Sequence, residues 1–318
     1  MMPDQTVLIT GGTGFLGKRL ALALKGTHNV ILAARNNMQN IAAQEFTGCK
    51  AVPLDVTNIE SVRDVFNEFR PDVVIHAAAS KFVDLAERHP MECIDVNVLG
   101  SQNVARVAVE KEVGVVLGIS TDKTAPPVGN TYGLSKALME RILCAMNGKS
   151  RTKFACVRFG NIAWSSGSVF PQWKRMHEQT GVIGTTGPEM RRFFITVDEA
   201  VRLVLTAAEH MDELQGKVLV RHMKATQISD VLELWVKHKG GSWKRIEGRP
   251  GDRDDEHLLG VTELAYAYEK EYDGVMHYVI AFNERSPRPV ERGLSSANAE
   301  RLSEAELLEI INHPPEEL

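Results

Sequence analysis

Residues 9–17, ITGGTGFLG, restrict what this chain can fold into more than any other stretch of its 318 residues. Gly11, Gly14 and Gly17 stand at G-x-x-G-x-x-G spacing between the apolar run at 6–10 and an amphipathic run at 15–25. Glycine is required where a strand turns tightly into a helix and where backbone must approach a pyrophosphate, whose charge the helix N-terminus meets. The turn therefore predicts a parallel α/β sheet with a dinucleotide at its edge, and Gly11, Thr13, Gly14, Phe15, Leu16 and Gly17 are the candidate contacts.

The following residues keep the period that such a sheet demands. Short β-branched runs at 30–34, 51–54, 73–76, 113–120 and 154–159 alternate with helical patterns at 59–69, 91–110 and 131–145. That βαβ order predicts an α/β fold, a doubly wound parallel sheet with a smaller C-terminal substrate-binding part. The expected division is a dinucleotide-binding domain over 1–165 and a mainly substrate-binding part over 166–318. Thr196 and Glu199 form a capping box that predicts a helix over 197–209, returning to the sheet. Ser303 and Glu306 repeat the box, with Leu302 and Leu307 as a staple, for a docked C-terminal helix.

Composition excludes several classes. A net charge of -4 and the lack of a basic run argue against nucleic acid. The four cysteines are widely spaced with no C-x-x-C pair, so neither a disulfide framework nor a metal site is suggested. No run approaches the roughly 18 apolar residues of a membrane span, and residues 1–10 lack a signal-peptide pattern. The expectation is a cytoplasmic protein without membrane partners.

At the end of the second strand an acidic residue accepts the ribose of NAD, whereas an arginine accommodates the 2′-phosphate of NADP. Here Arg35 and Asn36 occupy the place, so NADP is expected over NAD. Asp55, after the third strand and followed by Val56, is placed to reach the adenine.

Residues 119–136, ISTDKTAPPVGNTYGLSK, carry the chemistry. Tyr132 and Lys136 are spaced i, i+4 and share one helix face. An ammonium beside a phenol favours the phenolate, which predicts a tyrosine lowered from about 10 into the range of a general base. Asp122 and Lys123 are adjacent, as in a surface ion pair or in an acid and base working on one substrate.

The chain resembles the extended short-chain dehydrogenase/reductases, and among them the inverting, 5-epimerising UDP-N-acetylglucosamine 4,6-dehydratases. The likeness rests on TGGTGFLGK, VIHAAASKFVDLAERHPMECIDVNVLGSQNV, STDK, YGLSK, RFGNIAWSSGSVFPQW, RRFFITVDEAV, RPGDRDDEHL and GLSSANAERLSEAELLEII, nearly end to end. It implies that Tyr132 begins oxidation at carbon 4, Lys123 removes the carbon 5 proton, Asp122 protonates the departing carbon 6 hydroxyl and Thr121 contacts the carbon 4 oxygen. Lys123 would need a lowered pKa, from burial beside Lys136 and the nicotinamide, and Asp122 a raised one. The resemblance further implies Ala77, Ala78, Ala79 and Asn97 on the cofactor side. It implies substrate contacts from Lys81, Asn161, Arg192, Arg249 and Glu256, with Arg191 a rival to Arg192, and a homo-oligomer.

Two departures from the family pattern bear on the site. The stretch from Asp122 to Tyr132 is one residue longer, and Asp252 and Arg253 stand where Glu and Lys are usual. An epimerase on the same scaffold would share the glycines, Tyr132 and Lys136 without needing Asp122 and Lys123 together. A non-catalytic NADP-binding protein of this fold would commonly lack the tyrosine and lysine.

Overall fold

The computed structural model describes residues 2–248 and 250–315. Arg249, a predicted substrate contact, lies outside the described residues.

Six parallel strands form in the predicted places: β1 (Thr6–Thr10), β2 (Asn29–Ala34), β3 (Lys50–Pro53), β4 (Val73–His76), β5 (Val115–Ile119) and β6 (Lys153–Arg158). Their side chains are nearly all buried in β1, β4 and β6, as expected of strands covered on both faces. Along the sheet the order is β3, β2, β1, β4, β5, β6, then Val218–Arg221, Val275–Ile280 and Ala267–Tyr272. The order reverses between β1 and β4, where Ile9 pairs with Ile75, and that is where an open α/β sheet binds its ligand.

The three added strands come from the second half of the chain. Val218–Arg221 runs parallel to β6, and the hairpin Ala267–Tyr272/Val275–Ile280 closes the sheet antiparallel. The helix Val197–Glu209, capped as the sequence predicts by Thr196 and Glu199, packs on the first helix Phe15–Leu24. Residues beyond 165 thus contribute both a cover and an edge to the sheet of the first half.

The expected single helix over 91–110 is divided. An α-turn Pro90–Ile94 passes through a π-turn Asp95–Leu99 into the helix Gly100–Glu110. Such wide turns occur mostly as one-turn bulges at functional sites, and this one contains Asn97. No helix among the described residues is long and apolar enough to cross a membrane.

The smaller lobe is built from short sheets and the helices Val169–Thr180, Ile228–Lys239 and Glu304–Asn312. At its centre Trp164, Phe170, Trp173, Phe194 and Trp235 stack at centroid distances of 5.2 to 6.4 Å. The indole N–H of Trp164 donates to the Ile310 carbonyl at 2.6 Å, tying the C-terminal helix to this cluster.

Candidate active site

The glycine turn has the shape its spacing predicts. Gly11 adopts φ +67°, and a Cβ there would lie 2.7 Å from the backbone of Ala78 and 2.8 Å from Ala77. A Cβ on Gly17 would meet the Gly12 backbone at 2.6 Å. The first helix begins at Gly14 with no side-chain cap and no acidic residue in its first turn, so its amide N–H groups are left for an anion. These features fit a dinucleotide pyrophosphate. Phe15, Leu16 and Val56 are core residues, so any contact they make with a cofactor is through backbone.

Arg35 is exposed at the end of β2, while Asn36 caps the helix Asn37–Thr47 by accepting from the Gln39 N–H at 3.1 Å. Asp55 spends one oxygen on a turn, accepting from the N–H and hydroxyl of Thr57. Ala77, Ala78 and Ala79 follow β4 along the cleft side of Gly11. Asn97 is fully buried and clamps that segment to the Tyr132 helix: its Oδ1 accepts from Ser80 N–H at 2.8 Å, and its Nδ2 donates to Ser135 Oγ at 2.9 Å.

Thr121, Asp122 and Lys123 leave the end of β5 in one turn of 3-10 helix. The Asp122 amide donates to the Phe159 carbonyl at 2.9 Å, which seats the acid beneath the neighbouring strand end. Asp122 is buried; its Oδ1 accepts from Thr121 Oγ1 at 3.0 Å and Lys123 Nζ at 2.9 Å, and its Oδ2 has no partner. The helix Thr131–Met146 starts on this loop, because Asn130 caps Gly133 at 2.7 Å and Gly133 presses on the Lys123 carbonyl. Tyr132 is thereby carried in the first turn of the helix that rests on the Asp122–Lys123 loop.

Two expected electrostatic roles are corrected. Lys136 does not act on the phenol: its Nζ donates to Met139 Sδ at 2.9 Å, and burial pushes its ammonium down to about 8. Spacing of i, i+4 fixes the shared face, but not where a four-carbon stem ends. Burial pushes the half-buried Tyr132 phenol up to about 12, with Asp122 and Cys93, against the pull of Lys123 and Thr121. Lys123 is not lowered either. Burial acts to lower it, but the carboxylates of Asp122 and Glu256 outweigh burial and hold the ammonium above the usual lysine range. The site thus holds a charged lysine between two carboxylates.

Asn161 and Glu256 meet that lysine. Lys123 Nζ is 3.4 Å from Asn161 Oδ1 and 3.5 Å from Glu256 Oε1. Arg191 is occupied by Asp255 through two bonds, whereas Arg192 donates to the carbonyls of Arg191 and Asp254. Lys81 lies at the rim, donating to the Ser166 carbonyl at 2.6 Å.

The two departures in sequence meet in space. Arg253 Nη1 donates to the Pro127 carbonyl at 2.5 Å, and Gly129 packs against the Arg253 stem. Asn130 Nδ2 also reaches the Gly251 carbonyl at 3.3 Å. The longer loop is held by Arg253, and the Tyr132 helix stays seated on Lys123.

Sequence reasoning missed the group behind the loop. Arg158, fully buried at the end of β6, donates from Nε and Nη2 to Glu140 at 3.0 and 2.7 Å. It donates to Glu263 from Nη1 and Nη2 at 2.9 and 2.8 Å, and to the Leu258 carbonyl at 3.0 Å. Ser120 and Thr124, flanking the acid and lysine, donate to Glu140 in turn. An arginine inside the apolar run FACVRF was the one available signal.

The reversed sheet order, the glycine turn at its first crossover and the tyrosine helix beside β5 define an extended short-chain dehydrogenase/reductase. The chain belongs to the polysaccharide biosynthesis protein family, whose model matches residues 7–278. It is 36% identical to the capsular polysaccharide biosynthesis protein CapD of Staphylococcus aureus, over 87% of this chain and 49% of that protein. The chain thus spans about half the length of that relative. It is 31% identical to the UDP-N-acetylglucosamine 4,6-dehydratase (inverting) of Campylobacter jejuni, over 98% of this chain and 99% of the other. It is 34% identical to the UDP-glucose 4-epimerase of Rickettsia typhi, over 98% and 96%. Among solved structures, Pen from Bacillus thuringiensis superposes with a TM-score of 0.89 at 27% identity, covering 98% of both chains.

Proposed function

We propose that the protein is a nucleotide-sugar enzyme of the dehydratase and epimerase type, and specifically a 4,6-dehydratase of UDP-N-acetylglucosamine that inverts carbon 5. The observation that carries this reading is the buried Asp122–Lys123 pair beside Tyr132, with Asp122 Oδ2 lacking any partner. Simple epimerisation at carbon 4 gives such a pair nothing to do. Leaving a buried carboxylate oxygen unpaired costs about 1–3 kcal/mol, which a substrate hydroxyl would relieve.

A nicotinamide dinucleotide bound at the glycine turn supplies the hydride acceptor for carbon 4 and the hydride donor for carbon 6. Tyr132, once ionised beside the Lys123 ammonium, takes the carbon 4 hydroxyl proton, with Thr121 on the same oxygen. Lys123 passes a proton to Asp122 across their 2.9 Å hydrogen bond and, as the amine, removes the carbon 5 proton; Asp122 delivers its proton to the hydroxyl leaving carbon 6, and Lys123 finally protonates carbon 5 on its other face. Arg192 and Lys81 are the residues proposed to contact the diphosphate and sugar.

The test is turnover of UDP-N-acetylglucosamine in heavy water, read by mass spectrometry and NMR. The expected product has lost one water and carries solvent deuterium at carbon 5 in the opposite configuration. A product that keeps its water and differs only at carbon 4 establishes the epimerase reading, which the similarity to the Rickettsia typhi enzyme favours.

NADP(H) is expected to bind more tightly than NAD(H), since exposed Arg35 stands where NAD-binding chains place a carboxylate. Arg35→Ala should narrow the preference by about fivefold, the scale of a ~1 kcal/mol exposed ion pair. Calorimetric titration showing NAD preferred by the unmodified protein would remove this assignment.

A further inference from the structure

His76 is the last residue of β4, and its side chain is fully buried. Neither the glycine turn nor the acid and lysine pair gives it a task, yet both of its ring nitrogens are bonded. Nδ1 lies 2.7 Å from Thr10 Oγ1, and Nε2 lies 2.9 Å from Ser101 Oγ.

The neighbours decide which nitrogen carries the hydrogen. Ser101 donates its one hydroxyl hydrogen to the Asn97 carbonyl at 2.6 Å, so its oxygen can only accept from the ring, and Nε2 holds the N–H. Nδ1 is then an acceptor, and Thr10 donates to it. The Thr10 oxygen in turn faces the Ala78 N–H at 3.4 Å. Burial, with the Lys136 ammonium nearby, pushes His76 down to about 3, so the ring is neutral under ordinary assay conditions and this order of hydrogens is kept.

The bonds therefore run in one direction: Ala78 N–H to Thr10, Thr10 O–H to His76, His76 N–H to Ser101, Ser101 O–H to the Asn97 carbonyl. The Asn97 side chain carries the connection further. Its Nδ2 donates to Ser135 Oγ at 2.9 Å, and Ser135 donates to the Tyr132 carbonyl at 2.7 Å. Thr10, His76, Asn97, Ser101 and Ser135 are all buried, and bonds aligned head to tail in a dry interior strengthen one another.

Each end of this chain lies on a part of the candidate site. Ala78 belongs to the backbone that closes on Gly11, where a Cβ would come within 2.7 Å of it. Ser135 stands next to Lys136 on the helix that carries Tyr132. We propose that His76 is a positioning residue for hydride transfer at carbon 4, the link that sets the distance between the dinucleotide turn and the tyrosine helix. The role rests on the nicotinamide dinucleotide of the reading above but not on dehydration, since epimerisation at carbon 4 begins with the same oxidation.

Hydride transfer is the step that such a link governs, because a displacement of about 1 Å costs on the order of 10²-fold in rate. A core histidine that only filled space would be felt in stability and in dinucleotide affinity instead.

The experiment compares the full chain with His76→Phe, which loses both bonds, and His76→Gln, whose amide again offers one acceptor and one donor. Thr10→Val removes one hydroxyl from the same chain and covers the case of a His76→Phe protein that folds poorly. Stopped-flow reduction of bound nicotinamide is followed with saturating UDP-N-acetylglucosamine or UDP-glucose, carrying hydrogen or deuterium at carbon 4. Calorimetry gives the dinucleotide affinity, and amide hydrogen exchange is read in the dinucleotide-free protein. His76→Phe should slow reduction about 10- to 10²-fold with a larger isotope effect, while dinucleotide affinity stays within a few-fold. His76→Gln should recover part of the rate. Thr10→Val should also be slow, and the double variant no slower than His76→Phe alone, because both substitutions break one chain. Exchange in His76→Phe should quicken over residues 131–136 as well as 77–80. Reduction by His76→Phe at the unmodified rate, a loss that follows dinucleotide affinity alone, or exchange that quickens only over 77–80 overturns the link and leaves His76 a packing residue. A product that has kept its water removes the dehydratase reading, whereas this role stands or falls on the reduction rates and the exchange.

Discussion

Tyr132→Phe should lower turnover by about 10²- to 10⁴-fold, the range for a general base, while dinucleotide binding and the melting temperature hardly move. The substitution removes a single oxygen from a ring whose position is set by backbone. Asn130 caps the helix start at Gly133, and a Cβ on Gly133 would lie 2.2 Å from the Lys123 carbonyl, so the helix has no freedom to shift. The phenol is pushed up to about 12 by burial, and the cation that opposes burial is Lys123 rather than Lys136. Lys123→Met should therefore weaken the first oxidation as well as the elimination, although only the second uses it as a base. Stopped-flow measurement of nicotinamide reduction separates the two steps. Near-normal reduction by the Tyr132→Phe variant would assign the proton transfer to another group.

Arg158→Met should cost about 3–5 kcal/mol of folding stability, the penalty for breaking a buried ion pair from one side. Three carboxylate oxygens of Glu140 and Glu263 accept from its Nη groups and a fourth from its Nε, with side chains between 0 and 3% exposed. Without the guanidinium these two carboxyls face each other in a dry interior, and their folded-state pKa values rise above the unfolded ones. A group raised in this way binds more protons folded than unfolded, so the deficit of the variant should shrink as pH falls. Denaturant midpoints at neutral and mildly acidic pH measure both effects. A deficit below about 1 kcal/mol at neutral pH would mean that water reaches the pair.

Legibility in the sequence followed the range of each interaction. The glycine turn, the six parallel strands and both capping boxes are patterns within a few residues, and each lies where it was read. The π-turn at Asp95–Leu99 was not readable, since one extra residue in a turn leaves the apolar period of 91–110 almost unchanged. Arg158 was hidden for a different reason: its partners Glu140 and Glu263 are 18 and 105 residues away, and no local spacing encodes such a meeting. The latch from Arg253 to Pro127 spans 126 residues. Asp122 and Lys123 were legible as a pair, but the rise on Lys123 comes from Asp122 and also from Glu256, which approaches from another part of the chain.

The aromatic cluster of the smaller lobe has a spectroscopic consequence. All four tryptophans of the chain lie at or beyond position 164, and Trp164, Trp173 and Trp235 are stacked together in that lobe. Ultraviolet emission excited at the indole band therefore originates wholly outside residues 1–163. Loosening of the glycine turn or of β1–β5 would be invisible to it, whereas detachment of Glu304–Asn312 would alter it at once by releasing the Trp164 N–H from the Ile310 carbonyl. A fluorescence melt of this protein therefore reports on the smaller lobe while a far-ultraviolet circular dichroism melt reports on the whole backbone, and a gap between their midpoints would mean that the two halves do not unfold together.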